Sequence, residues 1–360
     1  MSINFISNLG KKSNVIDCRI TTQTGKKLRC KSIWANYNSV PTKIWEYVSK
    51  TNRYLLIPYS DVPYLTSDFM YFNAGNISYI GNGGSFGSIK KIMYYNNKYY
   101  TINNNNATTD GRINYFLVEN NDILLGRDNL FEFVFVDNIE HYENNIFVTG
   151  RRLSDNRTCT FYSNNSIDWT YAWHWDVSQG NTDLYLNHMV ESNDYLIGFE
   201  RRTESIYRIN KSNLYNYSWE KMTDKLFNTR YTKYTISHSN MGKIDNTIYL
   251  TLCDKSVFRN YYSVDDGETW NLFNDTIGFK KICFGNNFAI GTLLNKGYLC
   301  KITPTISLDY IDYPATPETL NYTDNTFFIC SGNRIFCSID GELWDEYSSP
   351  DGLINIIYKL

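Results

Sequence analysis

The chain has 360 residues, with 35 lysines and arginines against 37 aspartates and glutamates, a net charge of −2. This balance leaves no electrostatic footprint for nucleic acid or an anionic membrane surface, and no apolar run approaches the length of a membrane-spanning helix. With 31 tyrosines, 20 phenylalanines, 44 asparagines and few alanines, the composition favours strands joined by tight turns over helices, and it is too aromatic for disorder.

The N-terminus, Met1 to Gly10, has no apolar stretch behind a basic start, so no secretory signal is expected. Residues 1–45 stand apart from the rest of the chain. Val15–Thr21 and Lys27–Trp34 read as a hairpin around Thr24-Gly25, followed by Lys43-Ile44-Trp45. This piece is expected either to dock the chain onto another protein or to supply outer strands of a closing blade. The eight cysteines (18, 30, 159, 253, 283, 300, 330 and 337) form no Cys-x-x-Cys pair, and there are only four histidines. Neither a disulfide framework nor a metal site is expected, and no cofactor motif is present.

Residues 46–360 carry a repeat. An asparagine, one residue of any kind, and then an aromatic or isoleucine opening an apolar run occurs at Asn52, Asn97, Asn145, Asn193, Asn246, Asn286 and Asn325, at intervals of 39 to 53 residues. An apolar strand precedes most copies, as in Ile89–Tyr94, Asn138–Tyr142 and Phe279–Phe284. The asparagine is therefore expected in a hairpin turn, where it tolerates positive φ and bonds the local backbone. A second strand (Ile146–Thr149, Tyr249–Leu252) and a third (Arg157–Tyr162, Asn260–Tyr262) come next. Four short strands in about 45 residues is the size of a β-propeller blade.

A second feature recurs at the turn from third to fourth strand. It reads Ser163-Asn-Asn165-Ser-Ile-Asp-Trp169 in the third copy, Ser263-Val-Asp265-Asp-Gly267-Glu-Thr-Trp270 in the fifth and Ser338-Ile-Asp340-Gly341-Glu-Leu-Trp344 in the seventh. Serine and aspartate bond the turn's own amides, glycine permits positive φ, and tryptophan packs between sheets. The C-terminus, Gly352 to Leu360, reads as one more innermost strand with no blade after it. The expected fold is thus all-β, a β-propeller of seven four-stranded blades by the count of copies. Six or eight also fit the spacing, and strands from both ends of the chain close the ring.

The turn at Ser263–Trp270 resembles the Asp-box of the sialidase-like, or BNR-repeat, propellers, Ser-x-Asp-x-Gly-x-x-Trp, and the other two resemble a shortened form of it. The resemblance covers roughly residues 46–360. It implies a propeller and implies little about activity, because in that family the Asp-box is a structural turn remote from the active face. A sialidase would also carry an early Arg-Ile-Pro; here Tyr54-Leu-Leu-Ile57-Pro58 stands in that place without the arginine, which counts against that chemistry.

Two stretches suggest binding. Arg151-Arg152 and Arg201-Arg202 each end the second strand of consecutive copies, so their loops are expected to be neighbours on the face opposite the Ser-x-Asp turns. Four guanidiniums there suit the carboxylates or phosphates of an acidic glycan. The alternative is a solvated rim paired with Glu200 and Asp155. The run Tyr171-Ala-Trp173-His174-Trp175 offers aromatic rings to a sugar, but as the outermost strand of its blade it fits inter-blade packing or a protein interface as well. Gly81–Gly87 lacks the Gly-Lys-Ser/Thr and helix of a phosphate loop, and no nucleophile elbow is present.

Asp-box propellers rich in asparagine and tyrosine also resemble bacteriophage tail and tail-fibre proteins. Ser32-Ile33-Trp34 and Lys43-Ile44-Trp45 are similar to short Lys-Ile-Trp repeats at the start of some of them. This resemblance implies a non-enzymatic virion protein of tail, baseplate or tail fibre, made in the host cytoplasm. It would serve as a structural module or as a host-surface receptor binder that touches a host glycan. Residues 1–45 would hold it to other virion proteins, with no nucleic-acid partner and no membrane insertion. The competing expectation is a glycosidase of the sialidase-like group.

Overall fold

A computed structural model describes residues 19–21, 27–29, 32–37, 40–46, 54–58, 63–66, 73–74, 76–79, 89–103, 112–119, 122–129, 133–152, 154–165, 168–176, 180–215, 218–223, 238–254, 257–294, 299–311, 317–350 and 352–360. Among these, strands dominate, and the one helical element is a single 3₁₀ turn at Lys211–Asn213. Six sheets have four strands each and one has five. The fold is a β-propeller.

The first sheet joins the two ends of the chain. Its innermost strand is Ile354–Lys359, which pairs antiparallel with Tyr54–Pro58, and Tyr64–Thr66 and Asn73–Ala74 lie further outward. The second sheet runs Ile89–Tyr95, Lys98–Asn103, Arg112–Glu119 and Asp122–Asn129, with Asn76–Tyr79 added in parallel at its outer edge. The third is built from Phe133–Tyr142, Asn145–Arg152, Thr158–Ser163 and Thr170–Tyr171. The fourth consists of His188–Glu191, Tyr195–Glu200, Ser205–Asn210 and Glu220–Thr223. The fifth, sixth and seventh begin at His238, Phe279 and Thr319 and repeat the same meander.

Three two-stranded hairpins stand outside these sheets: Arg19–Thr21 with Lys27–Arg29, Ser32–Tyr37 with Val40–Glu46, and Trp173–Asp176 with Gly180–Asp183. The first lies within the hairpin expected around Thr24-Gly25, but the expected second strand Lys27–Trp34 is divided, because Ser32–Trp34 pairs with Lys43–Glu46 in the second hairpin; residues 15–18 lie outside the described residues. The third is a departure from expectation. The fourth strand of the third sheet ends at Tyr171, and the aromatic run leaves it to form a hairpin of its own.

The repeat asparagine accounts for two of the inner turns, while in the turn at Asn246 the positive φ falls on Asp245. Asn97 has φ 61° and Asn325 φ 56°, both in two-residue turns that need the left-handed region, which asparagine enters at little cost. In the third copy the turn falls on Glu143 (φ 52°) and Asn144. Asn145 begins the strand instead, one residue out of phase with the others. Asn52 lies outside the described residues. The loop at 81–87 also lies outside them.

Apolar side chains facing both ways make each sheet stick to the next. One cluster fills each junction: Leu55, Ile57 and Phe116 between first and second, and Ile102, Ile139 and Val148 between second and third. Phe147, Tyr162 and Leu196 join third and fourth, and Ile197, Phe199 and Leu250 join fourth and fifth. Tyr249, Phe279 and Ile302 and Ile290, Leu320 and Phe327 continue the series, which returns to the first sheet through Leu56, Phe328 and Ile357.

Polar side chains on the innermost strands bridge the same junctions. Lys91 Nζ donates to Asn138 Oδ1 at 3.0 Å and Glu140 Oε1 at 2.9 Å, and Asn138 Nδ2 donates to the Asn187 carbonyl at 3.3 Å. His188 bonds Ser239 at 2.8 Å, the Ile282 amide donates to Asn240 Oδ1 at 3.1 Å, and Cys283 Sγ reaches the Leu320 carbonyl at 3.3 Å. Thr319 Oγ1 donates to Ile354 O at 3.0 Å, and Asn355 donates to Ile89 O, completing the circuit. Burial alone would push the Glu140 carboxyl up, but the Lys91 ammonium and the Tyr142 hydroxyl hold it below its usual value.

Ile357 tests the closure. It is 2% exposed on the C-terminal strand, against Tyr54, Leu56 and Phe328. Ile357→Ala is expected to lower unfolding stability by about 2–4 kcal/mol through the lost apolar area and the cavity left behind. Val264→Ala, on an exposed turn, should change it by no more than about 0.5 kcal/mol. Denaturant unfolding of both variants checks this, and equal small effects would contradict closure through the C-terminal strand.

Candidate functional site

The chain reverses twice in each sheet, so the turn from second to third strand and the turn from third to fourth lie at opposite ends. In the third sheet Arg151 pairs with Thr158 at one end and Ile146 with Ser163 at the other. The Ser-x-Asp turns therefore sit on the face away from the arginines.

Those turns form as their chemistry requires. Ser263 Oγ donates to Asp265 Oδ1 at 2.8 Å and accepts the Gly267 amide at 2.9 Å. Asp265 takes the Thr269 amide at 2.9 Å, and Trp270 Nε1 donates to the Gly267 carbonyl at 3.0 Å. Gly267 has φ +80°, a conformation that a side chain would strain. Ser338 and Asp340 repeat the pattern, with the Gly341 amide on Ser338 Oγ at 2.9 Å and the Leu343 amide on Asp340 Oδ1 at 3.0 Å; Trp344 packs against the cluster joining the sixth and seventh sheets. In the third sheet Asn165 replaces the aspartate, accepting Ser163 Oγ at 3.0 Å and the Asp168 amide at 2.9 Å, and Trp169 packs against the junction with the second sheet. All three serines are buried. The side-chain bonds of these turns go to the turns' own backbone and side chains.

On the other face the turn from Arg152 to Thr158, Tyr171, the hairpin residues Thr182 and Asp183, and Arg202 of the fourth sheet line a cleft of about 770 Å³. Arg151, Arg152, Arg157 and Arg202 all line it, and Asp183 is the one carboxylate among the lining residues. Of the arginines expected from sequence, three meet here. Arg201 does not line the cleft; its backbone amide donates to Asn187 Oδ1 at 2.8 Å, and its side chain is exposed.

The four cleft arginines have different surroundings. Arg152 is closed off. Its Nε and Nη2 donate to the two oxygens of Asp155 at 2.8 and 2.5 Å, Nη2 also meets Asp183 Oδ2 at 2.9 Å, and the guanidinium lies 4.9 Å from the Tyr171 ring centre. Asp155 raises the already high pKa of Arg152 further. In return the Arg152 guanidinium draws the exposed Asp155 carboxyl down to about 2. This fork-to-fork geometry fixes both groups. Arg157 stands 3.6 Å from the same Asp155 but is 75% exposed. Arg151 is exposed, and Arg202 rests 5.0 Å above the Tyr185 ring. The expected rim pairing with Asp155 thus holds for Arg152. Glu200 turns instead to Thr203 Oγ1 at 2.8 Å and the Tyr207 hydroxyl at 3.4 Å.

Beside Arg202 lie two half-buried polar groups, Tyr185 and Asp137, and the buried carboxyl of Glu200. The Tyr185 hydroxyl donates to Asp137 Oδ2 at 2.6 Å, and burial, aided by that bond, pushes its pKa up. Glu200 is 7% exposed. Its desolvation raises its carboxyl above the ordinary 4.5, against the opposing pull of Thr203 and Arg202.

Sequence reasoning missed Arg157 and Asp183. Arg157 carried a legible signal, since it lies in the same second-to-third turn as Arg151-Arg152. Asp183 carried none, because it reaches Arg152 only through the hairpin at Trp173–Asp183. Of the aromatic run, His174 is buried and stacked on Tyr207, with ring centres 5.1 Å apart.

No family model matches the sequence, and no curated protein matches it. Solved structures resemble it in fold at low identity. The periplasmic gluconolactonase of Pseudomonas aeruginosa has a TM-score of 0.55 at 8% identity, over 86% of this chain and 99% of that one. Apo AztD from Citrobacter koseri gives 0.52 at 10%, over 86% and 98%. A putative 6-phosphogluconolactonase from Bacteroides fragilis gives 0.51 at 9%, over 88% and 100%. At such identities the likeness establishes the propeller alone.

The buried carboxyl makes a testable mark on stability. A carboxyl whose pKa is raised on folding holds its proton more tightly in the native state, so stability falls as pH climbs from the unfolded value through the folded one, then levels off. Glu200→Gln removes that fall. Unfolding measured from about pH 4 to about pH 8 should show the variant gaining on the wild type as pH rises. A difference independent of pH would contradict this.

Proposed function

We propose that this chain is a non-enzymatic β-propeller of a bacteriophage particle, part of a tail, baseplate or tail fibre, that holds an acidic glycan of the host surface in the arginine cleft. The observation carrying the binding reading is the charge imbalance in the cleft. Four arginines share two carboxylates: Asp155 and Asp183 close on Arg152, Asp155 also stands 3.6 Å from Arg157, and the side chains of Arg151, Arg157 and Arg202 are exposed. Guanidiniums bind carboxylates and phosphates through paired donors and stay charged at every physiological pH.

The Ser-x-Asp turns and the repeat support the Asp-box kind of propeller found among phage tail proteins. The five-stranded sheet reads as a blade with one strand added at its edge, which makes seven blades in all. Residues 1–45, with hairpins at Arg19–Arg29 and Ser32–Glu46, would hold the chain to neighbouring virion proteins. No metal or cofactor enters this reading.

The full chain, mixed with sialate and uronate polysaccharides and run on a sizing column, tests it. The polymer is expected to co-elute with the protein at its original length and to be released by salt, as exposed charge pairs are screened. Arg157→Ala with Arg202→Ala should abolish co-elution and leave thermal unfolding almost unchanged, because both side chains are exposed. A shortened polymer would mean a glycosidase. Separate elution of protein and both polymers would contradict glycan binding.

A further inference from the structure

Trp175 is 64% exposed. Trp219 is buried, and Trp169, Trp173, Trp270 and Trp344 are half-buried. A large ring left in water forgoes the hydrophobic stabilisation that its size offers, so its position bears on what it meets.

The hairpin that carries Trp175 is firmly based. The Thr160 amide donates to the Leu184 carbonyl at 2.7 Å, Ala172 N to Thr160 O at 2.8 Å, Leu184 N to Ala172 O at 2.9 Å, and Trp219 N to Trp173 O at 2.8 Å. His174 packs on Tyr207 and fixes one face of the hairpin against the protein. Side chains alternate along a strand, so Trp173 and Trp175 point to the other face. Directly paired residues share a face, and Trp173 pairs with Asp183,. The Asp183 carboxylate reaches Arg152 in the wall of the cleft. Trp175, paired with Asn181, therefore shares the Asp183 face of the hairpin, two residues or about 7 Å along the strand from Trp173,; it lies beside the residues that line the cleft and is not one of them.

We propose that Trp175 is a stacking platform for a sugar ring beside the arginine cleft, so that the site takes an acidic oligosaccharide rather than a bare anion. The acidic sugar places its carboxylate among Arg151, Arg157 and Arg202, and the neighbouring ring lays its apolar C–H face on the indole. This rests on the glycan-binding reading of the cleft and adds to it the sugar as the recognised element. A polyanion with no sugar ring gains only the charge contacts. Tyr171 does not serve this role, because Arg152 covers one of its faces and Phe161 lies 4.3 Å away, centre to centre.

Titration calorimetry with a galacturonate oligomer and a sialate oligomer, against polyglutamate of equal charge count, separates the possibilities. Wild type is expected to bind one of the two acidic oligosaccharides about tenfold more tightly than polyglutamate, the scale of a tryptophan contact at a binding surface. Trp175→Ala should remove that preference and leave polyglutamate binding unchanged, and Trp175→Phe should restore part of it. Unchanged thermal unfolding of both variants would exclude a folding defect. If Trp175→Ala leaves the oligosaccharide affinity intact, or weakens both polymers equally, the platform is overturned while the charged cleft stands. If no polymer binds the wild type, the glycan reading itself fails.

Discussion

The pairing of Ile354–Lys359 with Tyr54–Pro58 is the constraint on which the rest of the molecule depends. Each sheet buries one face against the sheet before it and the other against the sheet after it, so an open row would leave two apolar faces in water. Placing a C-terminal strand inside an N-terminal sheet removes both ends at once. The cross-junction bonds of Lys91, Asn138, His188, Asn240, Cys283, Thr319 and Asn355 then satisfy polar groups that the packing buries. Every junction is held by an apolar cluster and a hydrogen bond across it, and closure makes the ring act as one cooperative unit.

A closed ring divides the labour between its faces. Inner turns and Ser-x-Asp turns spend their residues on their own backbone: asparagine at positive φ, serine and aspartate on local amides. The second-to-third turns are freer to carry chemistry, and here two neighbouring ones bring arginines to a shared cleft. Arg152, clamped by Asp155 and Asp183, ties its turn to the hairpin at Trp173–Asp183 and gives the cleft a fixed wall. The other arginines of the cleft stay exposed, and the proposed ligand is assigned to them.

The features legible in the sequence are the local ones. The repeat, the Ser-x-Asp turns and the position of the arginine pairs all depend on a few consecutive residues; the three Ser-x-Asp turns form where the spacing puts them, and the arginine pairs fall at second-to-third ends of neighbouring sheets, though Asn145 leaves its turn and Arg201 leaves the cleft. The hidden features depend on contacts between distant segments. Glu143-Asn144 takes the turn that Asn145 was expected to occupy, because Tyr142 pairs directly with Asn145 across it. Asn76–Tyr79 adds a parallel edge strand that no local pattern announces. Arg201 and Arg202 look alike in sequence, yet only Arg202 turns over Tyr185 and into the cleft. The run Tyr171–Trp175 reads as one strand, yet a break at Ala172 divides it between the third sheet and a separate hairpin, where only Trp175 of the run is exposed.

The central claim is that the arginine cleft, and no other part of the ring, receives an acidic sugar. A crystal structure of the full chain with an acidic oligosaccharide bound tests it most directly. The account predicts the sugar carboxylate within hydrogen-bond distance of Arg157 and Arg202, with Arg152 still closed on Asp155. A sugar seated on the face of the Ser-x-Asp turns or elsewhere on the ring, with the cleft arginines untouched, would contradict it.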